Sequence, residues 1–417
     1  MYPIYDLIVK ISWFFLKILA SFNAKINLFV SGRKSSLERI RSGISHRDKV
    51  IWMHVASLGE FEQGRPIIER LRAEYPSHKL VVTFFSPSGF EVKKDSSVAD
   101  VICYLPMYTQ KNSSRFLDAV RHEIAIFVKY EIWPNYLREL DKRSIPTVLI
   151  SAIFKKEQIY FKWYGGFMRK ALRRFEHYFV QDVASQQLLA SIGIKNTSVS
   201  GDTRLDRVSE ILDGDNQLDF MSAFKKDRLC FVAGSTWPED ESILIDYINN
   251  TPKNLKYILA PHTVKKDKIL GLAGSITKKK VLYSNLGEKD VADCDVLIVD
   301  TIGLLTKIYS YADIAYVGGG FATGLHNTLE PAVFGVPVII GPQFEGFKEA
   351  EELVAKKGVL PVGDAWTFGE LMKKLLDNTD FRKKTGAINA EYISKNKGAS
   401  TQIMAYIRNL LEPIKAI

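Results

Sequence analysis

Several short segments of this 417-residue chain pair proton-moving or anion-binding side chains with strand-to-helix turns. The first is His54-Val55-Ala56-Ser57-Leu58-Gly59-Glu60. An apolar run ends there, Ser-Leu-Gly turns the chain, and Glu60 falls in the first turn of a helix. In that place the helix dipole and nearby amides are expected to hold its carboxylate ionised. An ionised carboxylate at the end of a strand can act as general base toward an acceptor hydroxyl. Ser57 and Glu60 also have the S-x-x-E spacing of a capping box, so a purely structural role fits the same residues. Glu131, in Tyr130-Glu131-Ile132-Trp133-Pro134-Asn135, ends another apolar run. It could share the site, or be a buried hydrogen-bonded carboxylate.

The second group binds anions. Tyr316–Gly341 reads YVGGGFATGLHNTLEPAVFGVPVIIG. Glycines at 318–320 let a backbone approach a ligand or another segment closely. A helix beginning at Asn327-Thr328-Leu329-Glu330 would offer free N–H groups and a positive dipole end to a phosphate. Asn327 and Thr328 can donate to phosphate oxygens, whereas Glu330 suits a sugar or ribose hydroxyl. The structural alternative is tight glycine packing with Asn327 as a cap. Ala233-Gly234-Ser235-Thr236, Ala260-Pro261-His262-Thr263 and Asp300-Thr301-Ile302-Gly303-Leu304 each end a strand-like run. Ligands of open α/β sheets bind at such carboxyl ends. Asp293-Cys294-Asp295 imitates a metal-binding D-x-D, but it abuts an apolar run and reads as strand-entry polarity. No H-x-x-E-H, C-x-x-C or Walker loop is present.

The elements that must carry these residues form a repeating pattern. Strands are expected at 49–55, 79–84, 101–105, 124–128, 147–151, 177–181 and 197–200, with helices between, such as 61–74. After a polar stretch at 206–228 the alternation restarts at 229–233, 256–260, 280–283, 296–299, 314–317 and 338–340. Strands alternating with helices imply parallel sheets covered on both faces. The fold class is therefore α/β, with two Rossmann-like domains facing across a cleft. The expected domains are 31–205 and 229–417, joined by a linker at 206–228, with the last helix able to return to the first domain.

Composition agrees with a folded, two-domain protein: 46% apolar and 25% charged residues in a chain too long for one core. The formal charge of +10 is local. Residues 1–50 carry nine Lys/Arg against three Asp/Glu, and residues 151–180 seven against two. Such patches fit a phospholipid surface, a phosphorylated substrate or nucleic acid. Residues 4–30 are apolar and aromatic; wound as a helix, Asp6, Lys10, Lys17 and Ser21 fall within an arc of about 60°. A narrow polar stripe on an apolar helix suits the membrane interface better than a span or a signal peptide. The alternative is a helix packed on the protein's own core. Arg33, Lys34, Arg39, Arg41, Arg47 and Lys49 follow it, as expected beside an anionic cytoplasmic leaflet. Residues 154–178 interleave aromatic and basic side chains, which beside such a helix favours a phosphorylated lipid over nucleic acid. Cys103, Cys230 and Cys294 have no metal-ligand spacing and read as free core thiols in a reducing compartment.

Taken together, HVASLGE at 54–60, YEIWPN at 130–135, AGST at 233–236, DTIGLL at 300–305, HNTLEP at 326–331 and FGVPVIIGP at 334–342 resemble the Kdo (3-deoxy-D-manno-octulosonic acid) transferase family. The resemblance covers nearly the whole chain. It implies a GT-B fold and an inverting transfer from CMP-Kdo to the lipid A precursor lipid IVA. It also implies no required metal or cofactor, and work at the cytoplasmic face of the inner membrane, with no nucleic-acid partner. Carried over, Glu60 matches the family's proposed base and Glu131 a second acid. Pro261, His262, Ile302, Gly303, Leu304, Asn327, Thr328, Leu329 and Glu330 match its CMP-contacting segments. The chain departs where the family has A-P-R-H, since His262 stands in the arginine position, and where T-M-G-E places an acid at Leu304. Rival readings are another GT-B transferase or an epimerase using a UDP-sugar, and a non-enzymatic peripheral lipid-binding protein.

Overall fold

The computed structural model describes residues 1–251, 255–287, 291–322 and 324–412. Thr323 of the glycine-rich segment and the last residues of the second expected domain, 413–417, lie outside the described residues. The chain divides into two compact units: Met1–Asp206 with Lys397–Ile417, and Arg207–Asn396.

The first unit holds strands β1 (Val50–Val55), β2 (Lys79–Phe84), β3 (Val101–Tyr104), β4 (Ile124–Val128), β5 (Thr147–Ala152), β6 (His177–Val180) and β7 (Thr197–Val199). Among the described residues they form one parallel sheet in the order β3-β2-β1-β4-β5-β6-β7. β1, β4 and β5 are buried along their whole length, as continuous apolar runs in a doubly covered parallel sheet should be. The order reverses between β1 and β4, the strands that precede Glu60 and Glu131. Crevices at such reversals are where open α/β sheets bind ligands. The helix Ala399–Leu411 completes this unit, with Ile403, Met404 and Ile407 packing on the face that includes Ile51, Met53 and Ile126. Asp206 fastens its start, accepting from the Gly398 and Ser400 backbone N–H groups at 2.6 and 2.8 Å.

The second unit repeats the plan with β8 (Leu229–Thr236), β9 (Leu255–Pro261), β10 (Lys280–Leu282), β11 (Val296–Ile298), β12 (Ile314–Val317), β13 (Val338–Ile340) and β14 (Val359–Pro361). Its order among the described residues is β10-β11-β9-β8-β12-β13-β14, again all parallel. The reversal lies between β8 and β12, the strands that lead into AGST and the glycine run. β14 is an added edge strand; Val359-Leu360-Pro361 is too short a run to stand out in sequence. The stretch 206–228 is largely helical, with Thr203–Asp213 and Asp219–Lys225.

The N-terminal segment is two helices, Tyr2–Leu19 and Ala24–Gly32, rather than one over 4–30. Asn23 starts the second by accepting from the Lys25 and Ile26 N–H groups, which favours a cap over helix continuation. The polar stripe turns inward at Asp6. That carboxylate is 9% exposed and accepts from Gln110 N (2.7 Å) and Asn135 Nδ2 (3.2 Å), with Lys10 at 2.8 Å. Ile4, Leu7, Ile8, Ile11, Phe14, Phe15, Ile18 and Leu19 are left exposed. Among the described residues no helix is long and apolar enough to cross a membrane. Tyr2 and Tyr5 pack on Phe167 (ring centroids 5.0 and 5.4 Å), which brings the first helix beside the basic–aromatic segment. There Phe154 and Tyr160 are core residues, whereas Trp163 is 90% exposed. Arg169, Arg173 and Arg174 are spent on Tyr160, Lys162 and Ile192 carbonyls and on Asp141.

Candidate active site

Chain geometry after β1 explains the position of Glu60. Ser57 caps the helix Leu58–Glu74, its Oγ accepting from the Glu60 N–H at 3.4 Å. The Glu60 carboxylate folds back and accepts from the Ala56 N–H at 2.5 Å. Ser57 thus caps the helix as expected, whereas Glu60 bonds the Ala56 N–H and not the Ser57 N–H of a capping box, which holds the carboxylate at the end of β1. Glu60 is only 8% exposed, and burial together with the like charge of Glu131 pushes its pKa up to about 8. The Ala56 N–H and Lys129 act in the opposite sense and are outweighed. This corrects the expectation that helix-end amides keep Glu60 ionised: one amide does not offset desolvation and a neighbouring carboxylate.

Glu131 follows β4 in a turn entered through Lys129, whose φ of +64° is uncommon for a side-chain-bearing residue. Its Oε2 lies 3.0 Å from His54 Nε2 and 2.7 Å from Trp133 Nε1. His54, fully buried, reaches Thr83 through Nδ1, and Trp52 Nε1 donates to the Thr83 hydroxyl at 2.9 Å. The first unit thus brings Glu60 and Glu131 into electrostatic contact and backs them with a buried polar chain. His54 and Trp133 lie inside motifs legible in sequence; their partnership required the β1–β4 pairing, in which His54 stands opposite Phe127.

In the second unit the glycine run is packed against protein. A Cβ on Gly318 would sit 2.4 Å from the Ser235 carbonyl oxygen, and one on Gly319, at φ +96°, 2.2 Å from that of Gly324. Buried Asp240 organises the loop, accepting from Gly319 N and Trp237 N at 2.9 Å each and from the Tyr316 hydroxyl at 2.6 Å. Around it three rings stack: Trp237 on His262 and His262 on His326, each with centroids 4.6 Å apart. Trp237 Nε1 donates to His326 Nε2 at 2.9 Å. Burial, then the neighbouring His262, lowers the pKa of His326. Trp237 and His326 join Pro261 and His262 here, although only the latter pair was expected. A stacked group of three rings can receive a flat base or donate to an oxyanion.

The expected helix at Asn327 is a single turn, Leu329–Ala332, too short for a helix-dipole anion site. Asn327 spends its amide locally, donating to Glu330 Oε1 (3.1 Å) and accepting from Leu329 N (3.1 Å). Thr306 donates to the other Glu330 oxygen at 2.8 Å. Because Leu304 caps the helix Leu305–Ile308 that carries Thr306, the Ile302-Gly303-Leu304 loop and Glu330 are joined; Ile302 is exposed. Thr328 is buried with no partner for its hydroxyl among the described residues, and Leu329 is a core residue. In the D-x-D imitation, Asp293 and Asp295 face Lys279 and Arg228 at 3.9 and 3.3 Å.

Residues 32–207 match the family model described as 3-deoxy-D-manno-octulosonic-acid transferase (kdotransferase). This segment of the chain is similar to that family. Over 377 residues it is 28% identical to the 3-deoxy-D-manno-octulosonic acid transferase of Haemophilus influenzae, covering 87% of each chain. Among solved structures it resembles UDP-GlcNAc 2-epimerase from Neisseria meningitidis (TM-score 0.60, 16% identity, 86% of this chain and 99% of that one). It also resembles MurG of Acinetobacter baumannii (TM-score 0.58, 10% identity, 87% and 99%). At these identities the likeness concerns fold alone: the two Rossmann-like units have the GT-B fold. Glu60 and Glu131 both lie within the matched segment.

Proposed function

We propose that the protein is an inverting glycosyltransferase that moves Kdo from CMP-Kdo to lipid IVA in lipopolysaccharide assembly, at the cytoplasmic face of the inner membrane. The observation that carries this reading is the buried Glu60 carboxylate, at the β1/β4 reversal of a domain similar to the kdotransferase family. In the proposed step Glu60 takes the proton of an acceptor hydroxyl. The acceptor oxygen bonds to the anomeric carbon, and the bond from that carbon to the CMP phosphate breaks. A base whose pKa lies near 8 is a stronger proton acceptor than an ordinary carboxylate and is still partly ionised at neutral pH.

We assign donor contact to the second unit: Pro261 and His262, the Ile302–Leu304 loop, and Asn327–Glu330, together with Trp237 and His326, whose rings stack on His262. His262 offers an imidazole where the family pattern has an arginine. The acceptor is assigned to the first unit, whose outward apolar helix face and exposed Trp163 and Tyr164 suit an anionic lipid surface. An apolar pocket lined by Leu16, Ile26, Phe29, Phe85 and Pro87, with Lys25 at its edge, would take an acyl chain. Phe85 is tied to β1 through its N–H bond to the Val55 carbonyl, close in sequence to Ala56 and Glu60. No metal or cofactor is part of the proposal.

The test is incubation of the purified protein with lipid IVA and freshly generated CMP-Kdo, beside Glu60→Gln, followed by lipid mass. A gain of one or more Kdo units that the folded variant loses supports both reaction and base. No gain from wild-type protein with intact donor removes the Kdo assignment; incubation with UDP-GlcNAc then examines the UDP-sugar alternative. A gain that survives in Glu60→Gln moves the base elsewhere.

A further inference from the structure

We propose that the first unit holds a second ligand site, an arginine-lined cavity that binds a phosphate group at the end of the sheet opposite Glu60. The inference does not depend on the Kdo reading.

The cavity has a volume of about 420 Å³, within the range of small-molecule sites. Three segments form it: the end of the helix Ser36–Gly43, the loop 44–46 that leads toward β1, and the helix Gln110–Val120 with the residue that follows it. Arg41, His46, Arg115 and Arg121 line it and are exposed, whereas Ile44 and Ala119 are half-buried against the core. Charge therefore forms the rim and apolar surface the floor.

The positive charge of this rim is not spent on the protein. Among the described residues the side chains of Arg41, Arg115 and His46 make no hydrogen bond or ion pair. Arg121 uses only Nε, on the Asp118 carbonyl at 3.2 Å. The one acid in the lining, Asp118, is taken by Arg143 at 2.7 Å. Asp48, a little further along the loop, accepts from the Ser45 N–H at 2.7 Å. Three guanidinium groups around one hollow repel one another, and an anion between them turns that repulsion into attraction. The arginine fork matches two phosphate oxygens at once.

Helix-end electrostatics accounts for part of the pattern. Arg41 lies in the last turn of its helix and Arg121 just past the end of the other, where a cation favours the helix dipole. Arg115 lies in mid-helix and gains nothing from it. Arg121 also stands at φ +49°, held by its N–H bond to the Leu117 carbonyl at 3.0 Å, in a position where glycine is the usual residue. The chain keeps a charge there at a conformational cost.

Position separates the cavity from the catalytic crevice. Its loop precedes β1 and Arg121 precedes β4, whereas Glu60 and Glu131 follow those strands. The six residues of β1 put cavity and Glu60 roughly 20 Å apart. The first helix meets the helix Gln110–Val120 at its other end, where Asp6 accepts from the Gln110 N–H. A phosphate can reach the cavity on a soluble molecule or on a lipid headgroup.

The test is calorimetric titration of the full chain with inorganic pyrophosphate at about 0.15 M salt, beside Arg115→Gln and Arg41→Gln. Both side chains are exposed and unpaired, so both variants should keep the wild-type Tm. Lys384→Gln, the same charge change at an exposed residue of the second unit, is the control. Saturable binding that each arginine variant weakens about tenfold and the control leaves unchanged supports the site, with a soluble phosphate as ligand. Absence of pyrophosphate binding, together with co-sedimentation on phosphatidylglycerol vesicles that Arg115→Gln weakens and Lys384→Gln does not, supports the site with a lipid headgroup as ligand. Binding that both arginine variants leave unchanged, as binding at the donor loops of the second unit would be, overturns the proposal. Equal weakening in all three variants is general charge attraction and overturns it too, as does no binding of either probe. None of these measurements needs CMP-Kdo or transfer, so the cavity and the Kdo assignment fail separately.

Discussion

Glu60 is buried beside a second carboxylate, and both circumstances favour its protonated form. An unfolded glutamate ionises near pH 4.3, roughly, whereas the native one does so near 8. Between those values the unfolded chain has lost a proton that the native chain keeps. The stability that accompanies native protonation is complete below the unfolded pKa and is lost as pH rises through 8. Glu60→Gln, which keeps the shape and an oxygen for the Ala56 N–H, is therefore expected to raise Tm at pH 8–9 by roughly 2–4 °C. The same change should lower transfer by about 10²- to 10⁴-fold, measured as lipid mass gain. A lower Tm would mean that the charged cap on Ala56 outweighs the buried charge. Glu60 and Glu131 were legible as candidates because each follows a strand and precedes a helix start. Their mutual repulsion was not, since 71 residues of chain separate them until β1 pairs with β4.

The first helix leaves much of its apolar side exposed. Of its polar stripe, Asp6 is buried and anchored to Gln110 and Asn135, while Lys10, Lys17 and Ser21 are exposed. Phe14→Asp with Phe15→Asp should leave the circular dichroism spectrum unchanged and weaken co-sedimentation with anionic phospholipid vesicles at least tenfold. Equal binding would return this face to a role without lipid. The stripe itself was readable from helical spacing; which side the protein would cover depended on partners more than a hundred residues away. At the glycine run the local demand is steric. Gly319→Ala meets both a positive φ and the Gly324 carbonyl, and should cost the second unit about 1–3 kcal/mol in chemical denaturation. The motif announced that glycines were needed there, yet their packing against Ser235, Gly324 and Gly341 appears only in the folded loop.

On the scale of the molecule, the helix Ala399–Leu411 belongs to the first unit although it follows the second in sequence. Ile403, Met404 and Ile407 are fully buried, and each such side chain is worth about 1.5–3 kcal/mol of burial. Truncation after residue 396 should therefore unfold or strongly destabilise the first unit while the second keeps its own transition in calorimetry. Coincident loss of both transitions would contradict the two-unit division. Transfer activity should survive EDTA, because Glu60 and the groups of the second unit supply the proposed chemistry without a metal; its abolition, restored by a divalent cation, would overturn that part of the proposal.

Strand–helix alternation, the break near 206–228 and the placing of motifs after strands follow from local apolar runs and turn residues. They determined two parallel-sheet units and the chemistry-bearing loops from sequence alone. Tertiary structure decided what depends on distant chain segments meeting. It raised Glu60 through burial and Glu131, joined His54 to Glu131, stacked Trp237 with His262 and His326, and cut the expected helix at Asn327 to one turn. Hydrogen-bond partnership and desolvation are properties of a folded neighbourhood, and no spacing along the chain specifies them.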